Sequence, residues 1–404
     1  MRRACLVAVV VVASLADPAV RASEAQERAP LGPTERAAVL ALIDAVDTAQ
    51  MTDAAGDATL EWDNHILKAA SDAYVPFRVV VRGAADAFKS AAMYVRAVSR
   101  PVGIRASEER SFVRDWLMRK GDAPPVRQET VFIGPGEMPV GGPATSSSRR
   151  TTQAPAEASA VLSLQTREYE RQKAAAEAAK KRAETKERDP YRFAFEDYDF
   201  AELKAAQPLS GRALERALSL PAGEYDVYVA LLDRARLKTS SPVIRRRTVT
   251  IPDYWNDELA ISSLIFASEV RTLDAPLKSN QQRAHPYTFG RAEVIPAART
   301  TFTKDDVLSV VFQICNYGAP DVNLSADYAF YRVDGERTLF NRTQTQQLTD
   351  SDLPPPLDPW QTQAFTMQAV PLKSFPAGQY ELEVTVRDRA TRGSAKASAT
   401  FTVE

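Results

Sequence analysis

A chain of 404 residues is longer than one hydrophobic core of ordinary size serves, so length alone favours two domains with connecting material. Its 45% apolar and 25% charged residues exclude a wholly disordered or membrane-embedded chain. A formal net charge of −1 supplies no electrostatic footprint for nucleic acid.

Arg2 and Arg3 precede an apolar run over residues 4–16 that is too short to span a bilayer and has the form of an export signal. Val20-Arg21-Ala22 offers a signal-peptidase site, with Ser14-Leu15-Ala16 competing, and residues 1–22 are read as the signal peptide. The expected protein is therefore periplasmic or secreted, at the cell envelope, with no transmembrane span in its mature chain. Cys5 lies at the start of the apolar run, not after it where a lipid-modified cysteine would stand. Cys315 would then be the one mature thiol, excluding an intrachain disulfide; within VLSVVFQICN it reads as a small buried hydrophobe.

Residues 23–54 form an N-terminal helical segment. Its amphipathic helix, over 35–50, is opened by Pro33-Thr34 and carries Val39, Leu40, Leu42, Ile43 and Val46 on one side. Residues 55–252 are read as a first β-sandwich, with strand candidates in ILKAA, YVPFRVVVRG, FKSAAMYVRAVSR, ETVFIG and YRFAFEDYDF. A long insertion over 134–189 interrupts it. The insertion begins with the Gly/Pro/Ser-rich GPGEMPVGGPATSSS, a flexible, disordered linker, and continues from about residue 157 as a charged Ala/Glu/Lys helix. That helix reads as a solvated spacer arm, with a coiled-coil partner site as the other reading.

An internal repeat organises the remainder. SLPAGEYDVYVALLDRA (219–235) aligns without gaps on SFPAGQYELEVTVRDRA (374–390), with nine identities in seventeen positions. Each copy leads into a second strand, RTVTI or ATFTV, so the repeated unit is a hairpin that closes each of two duplicated domains. Alternation puts Tyr380, Leu382, Val384 and Val386 on one face and Glu381, Glu383, Thr385 and Arg387 on the other. Tyr225 and Tyr380 stand where immunoglobulin-like folds place a tyrosine corner, and Val227 and Leu382 where antibody domains have a disulfide cysteine. In the first copy the outward positions Asp226, Tyr228, Ala230 and Leu232 are less polar, as on a face covered by an upstream element. Residues 253–404 complete a second immunoglobulin-like sandwich through ELAISSLIFA, DVLSVVFQICN, VNLSADYAFYRV, GERTLFNRTQTQ, QAFTMQAVPL and the closing hairpin. The fold class is mainly β: two tandem immunoglobulin-like antiparallel β-sandwiches, with an N-terminal helix and a long helical, low-complexity insertion.

No nucleophile elbow, phosphate loop, dinucleotide fingerprint or zincin motif occurs, and no catalytic residue, cofactor or metal site is assigned. His65 and His285, the two histidines, lack neighbours at metal-ligand spacing and read as structural or surface residues. The acidic cluster of Glu196, Asp197, Asp199 and Glu202 reads as outward strand carboxylates, with a calcium site as the alternative. Trp255 in IPDYWND and Trp360 in PPPLDPWQ are the candidate ligand contacts, able to stack on a sugar or grip a peptide; packing at a domain junction is the competing reading.

The region over 191–404 resembles a group of uncharacterised exported bacterial proteins with tandem immunoglobulin-like sandwiches. The resemblance rests on IPDYWNDELAISSLIFA, PYTFGRAEVIPAARTTFTKDDVLSVVFQICN, LFNRTQTQ and PLKSFPAGQYELEVTVRDRA. Its C-terminal part is similar to regions that accompany von Willebrand factor A-related domains and GWxTD-domain proteins. Neither Asp-x-Ser-x-Ser nor Gly-Trp-x-Thr-Asp is present, so the resemblance implies a fold and a compartment but no functional residues. The expected function is a non-enzymatic binding or scaffold protein whose partner is an unknown envelope protein or glycan. The alternative is an enzyme or enzyme-accessory module acting on extracellular polysaccharide or peptide.

Overall fold

The computed structural model describes residues 31–52, 56, 59–69, 72–82, 88–100, 111–118, 193–206, 211–318, 322–349 and 363–404. The expected signal peptide, ETVFIG, the 134–189 insertion and Trp360 lie outside them. The fold is mainly β, built from sheets whose strands pair antiparallel except for the short parallel pair between residues 301–302 and 402–403.

The first sandwich comprises β1 (Leu60–Asn64), β2 (Leu67–Lys68), β3 (Ala73–Val81), β4 (Ser90–Ser99), β5 (Phe195–Glu202), β6 (Lys204–Ala205), β7 (Arg212–Leu220), β8 (Gly223–Asp233) and β9 (Val243–Ile251). One sheet runs β1-β3-β7-β6 with β2 also on β3, and the other runs β5-β4-β8-β9. Between them pack Trp62 stacked on Phe77 at 4.7 Å, with Val75, Val79, Leu218, Val227, Val229 and Leu231.

The second sandwich comprises β10 (Ala260–Ile261), β11 (Ile265–Thr272), β12 (Thr288–Phe289), β13 (Ala292–Pro296), β14 (Thr301–Phe302), β15 (Val307–Cys315), β16 (Asn323–Asp334), β17 (Glu336–Arg342), β18 (Gln346–Thr349), β19 (Gln363–Pro371), β20 (Gly378–Asp388) and β21 (Ser394–Val403). Its sheets run β10-β15-β11-β13-β12, with β19 also on β15, and β14-β21-β20-β16-β17, with β18 also on β16. Tyr380, Leu382, Val384 and Val386 all face its core. ELAISSLIFA, expected as one strand, is split into β10 and β11 where Ser263 turns to Ile66 of the first sandwich while Ser262 stays bonded to Gln313 of β15.

The repeated sequence is explained twice over by the same local devices. Tyr225 donates its hydroxyl to the Pro221 carbonyl at 3.1 Å, and Tyr380 to the Pro376 carbonyl at 2.8 Å, each closing a corner four residues upstream. Gly223 and Gly378 sit at φ of 150° and 154°, a region that side chains avoid. A Cβ on Gly223 would stand 3.1 Å from the Tyr225 hydroxyl. At the other end of the strand, the carboxylates of Asp233 and Asp388 accept the N–H of Ala235 and Ala390, so the shared Asp-Arg-Ala is a turn-forming unit.

The N-terminal helix α1 (Pro33–Met51) covers the outer face of the β4–β8 sheet. Its buried Val39, Leu42, Ile43 and Val46 pack with Tyr94, Tyr228, Ala230 and Leu232, which accounts for the apolar outward positions of the first repeat. A second helix, α2 (Phe112–Met118), joins the same cluster through Val113 and Leu117. Arg96, on β4, is buried beneath α1. It donates to Asp47 at 2.5 Å, to the Tyr94 hydroxyl at 2.9 Å, and lies over the Phe193 ring at 4.0 Å. Asp47 is shared with Arg114 of α2 at 2.6 Å, so the charge buried under the helix is met by an ionic network.

Candidate functional site

The second sandwich does not hang from the first by a linker. Segment 252–258 makes a tight corner: the Trp255 N–H donates to Asp253, the Glu258 N–H to Asn256, and Asp257 takes φ of 63°. Tyr254 is buried there with its hydroxyl on the Ile66 carbonyl at 3.4 Å, and burial pushes that phenol above its ordinary range. Trp255, the candidate ligand contact, is half-buried against the first core and edge-on to Tyr254 at 6.2 Å. Asp253 serves it as a turn-former, accepting its backbone N–H.

β15 is buried on both faces. Leu308, Val310, Phe312 and Ile314 face the second core, while Val311 joins the core of the first, together with Ile265, Ala267 and Phe365. The same outward face carries Gln313, which is fully buried. Its side-chain carbonyl accepts the Lys68 N–H at 2.8 Å, and its amide donates to the Lys68 carbonyl at 3.1 Å and to Gln363 at 2.8 Å. Ser263 and Ile66 exchange a similar pair: the Ile66 N–H donates to the Ser263 hydroxyl at 2.9 Å and the Ser263 N–H to the Ile66 carbonyl at 3.0 Å. Side chains of the second sandwich thus complete the peptide hydrogen bonding around β2, which burial would otherwise leave costly. Asn316, at φ of 62°, accepts from the Lys68 ammonium and donates to the carbonyls of Tyr254 at 2.9 Å and Glu258 at 2.8 Å. Beside it burial pushes the Cys315 thiol up to about 12, with Lys68 opposing, so the thiol is protonated at neutral pH.

Two further contacts cross the junction. The chain between β11 and β13 carries a short helix, α3 (Ser279–Gln282), and places Arg283 against the first sandwich. Arg283 meets Asp197 at 3.0 Å and Asp199 at 3.4 Å, and Asp199 also accepts from Arg216 at 2.9 Å. Burial pushes the Asp199 carboxyl up, but the two guanidiniums outweigh it and hold the group below its ordinary value. Tyr287 and Pro286 then lie on β3, where the Tyr74 hydroxyl donates to the Pro286 carbonyl at 2.8 Å and the His65 Nδ1 lies 3.0 Å from the Tyr287 hydroxyl.

The residues with chemical potential are therefore occupied structurally. Of the acidic cluster, Asp197 and Asp199 are ion-paired rather than solvated, and Glu196 accepts from Tyr94, Ser111 and the Val113 N–H. His285 lies 2.8 Å from Glu293. Among the described residues no group of three or more His, Cys, Asp and Glu is placed to hold a metal ion. A depression lined by Val270, Phe289, Val294, Val311, Phe365 and Met367 has room for about one water molecule. No described helix is long and apolar enough to cross a membrane. Sequence reading did not anticipate Gln313 or Arg283: a glutamine inside VVFQICN, between apolar neighbours, was the one available signal.

No protein-family model and no curated protein matches the chain. Solved structures give slight likenesses. An alkylpurine DNA glycosylase from Pseudomonas fluorescens aligns at 14% identity over 26% of this chain and 28% of that one, with a TM-score of 0.17. A red sea bream transglutaminase aligns at 9% identity over 89% of this chain and 33% of that one, at 0.19. A DUF4785 family protein of Legionella pneumophila aligns at 7% identity over 83% and 54%, also at 0.19. This chain spans about half or less of the length of each, and at these scores none bears on function.

Proposed function

We propose that this chain is an exported, non-enzymatic binding or scaffold protein of the cell envelope, in which the two sandwiches act as one rigid platform. The observation that carries the reading is the junction. The polar side chains of Gln313, Ser263, Asn316, Arg283 and Tyr287 are spent on fixing one sandwich to the other. A stiff two-module body presents loops and sheet faces at a fixed spacing, which suits recognition rather than turnover. The charged and then apolar N-terminus supports export.

Affinity purification of the chain from crosslinked envelope, beside a deletion of residues 136–188, tests this. Specific recovery of a discrete envelope protein or glycan is expected. A partner lost with the deletion would locate recognition on the inserted arm, and one retained would locate it on the sandwiches. Recovery of nothing by either form would contradict the reading and favour an enzyme or accessory module acting on extracellular polysaccharide or peptide.

A further inference from the structure

His65 stands in the middle of the junction. It is 8% exposed, its own N–H donates to the Pro76 carbonyl at 3.0 Å, and its Nδ1 lies 3.0 Å from the Tyr287 hydroxyl of the second sandwich. The two rings meet edge to face at 5.5 Å. The Tyr287 hydroxyl also donates to the Pro76 carbonyl at 3.3 Å, so the phenol bridges His65 and β3.

The groups that act on this pair, with Tyr74 of β3 among them, sit on strands of the first sandwich. Asp63 of β1 attracts a proton to His65 and Arg247 of β9 repels one, while Arg78 of β3 and Glu215 of β7 act on Tyr287 from opposite signs. Protonating His65 need not break the hydrogen bond to Tyr287. The imidazolium can donate to the phenol oxygen while the phenol donates to Pro76. What cannot be accommodated is the charge itself: it would lie on a ring that is 8% exposed at the contact with the second sandwich, and it regains water only if the sandwiches part.

We infer that the junction between the two sandwiches is an acid-sensitive latch, held shut by neutral His65 and opened when that imidazole takes up a proton. Burial holds the folded imidazole below its free value of 6.5 against the opposing pull of Asp63, and Arg247 adds a smaller push in the same direction as burial. The sign follows: the closed state is fully favoured above the free value and loses ground as pH falls below it. One proton gives at most about a tenfold rise in opening per pH unit. The Asp199 carboxyl at the same junction is held below its ordinary value, so the window between about 6.5 and 5 belongs to histidine.

Cys315 reports the opening. Its thiol is buried at the junction beside Lys68 and Asn316, and in the full chain carrying Cys5→Ser it is the sole thiol. Labelling by 4,4′-dithiodipyridine is followed from pH 8 to pH 5 in this chain and in its His65→Gln variant, with far-UV circular dichroism alongside. Taking the ratio of the two rates cancels the thiol's own titration. The ratio, set to one at pH 8, is expected to climb by up to about tenfold per unit below pH 6.5, and His285→Gln is expected to climb like the parent. A flat ratio, or an equal loss of the climb in His285→Gln, would overturn the latch. If His65→Gln does not fold, imidazole NMR on the unaltered His65 decides: it must ionise in step with Cys315 exposure, and ionisation near pH 6.5 with Cys315 still protected would overturn it.

Discussion

Gln313 of β15 takes both peptide groups of Lys68 on β2 with a single side-chain amide, so an edge of the first sandwich is completed by a residue 245 positions away. Gln313→Leu keeps the size but removes both hydrogen bonds to the buried Lys68 peptide groups. A loss of about 2–4 kcal/mol is expected from equilibrium denaturation. A loss below about 0.5 kcal/mol would mean that water or a shifted backbone replaces the amide at no cost.

The paired corners give a second test. Tyr225→Phe and Tyr380→Phe each remove one hydroxyl donor from a carbonyl four residues upstream and change no packing volume. Each is expected to cost about 1 kcal/mol in urea unfolding. The corners belong to different sandwiches, so the double variant should cost the sum within about 0.5 kcal/mol.

Helix α1 is expected to stabilise the protein by covering an apolar sheet face. Leu42 is fully buried between the helix and Tyr94, Tyr228 and Leu232. Leu42→Ala should cost about 2–5 kcal/mol in denaturant unfolding, whereas Ala41→Ser on the exposed side should fall within about 0.5 kcal/mol of the parent.

Acid sensitivity near the carboxylate range should run through Asp199. Its folded carboxyl is held below the free value, so the associated stability is present above that value and is lost as pH falls through the folded one. Arg283→Met removes one of the two guanidiniums that set the shift. The variant should show a shallower fall of stability between about pH 4 and pH 2 than the parent in chemical denaturation. Parallel curves would assign the shift to Arg216 alone.

Much of this fold is legible in the sequence, and the gaps have physical causes. The repeat exposed both closing hairpins because a corner tyrosine, a positive-φ glycine and a turn aspartate are fixed by local geometry that any copy must reuse. The apolar outward face of β8 pointed to a cover, and α1 provides it. β7 escaped notice because RALERALSL is made of helix formers; it is a strand because it pairs along all of β3 between two buried faces, and packing overrides propensity. β1 is short, and its LEWDN gives little alternation to read.

The candidate site was far less legible than the fold. Trp255 reads from sequence either as a stacking platform or as packing at a domain junction, and the structure places it half-buried at the corner between the sandwiches. Strand alternation in β15 predicts one buried face; the other is buried because a whole second sandwich lies on it, and periodicity within one strand carries no information about that. Arg283 and Asp199 likewise meet through tertiary contact alone.

Differential scanning calorimetry of the full chain, followed by its Gln313→Leu variant, tests most directly whether the two sandwiches form one body. A single transition is expected for the parent, with calorimetric and van't Hoff enthalpies equal, and a broadened or split one for the variant. Two resolved transitions in the parent, or an enthalpy ratio near about two, would contradict a rigid platform and leave two sandwiches that merely touch.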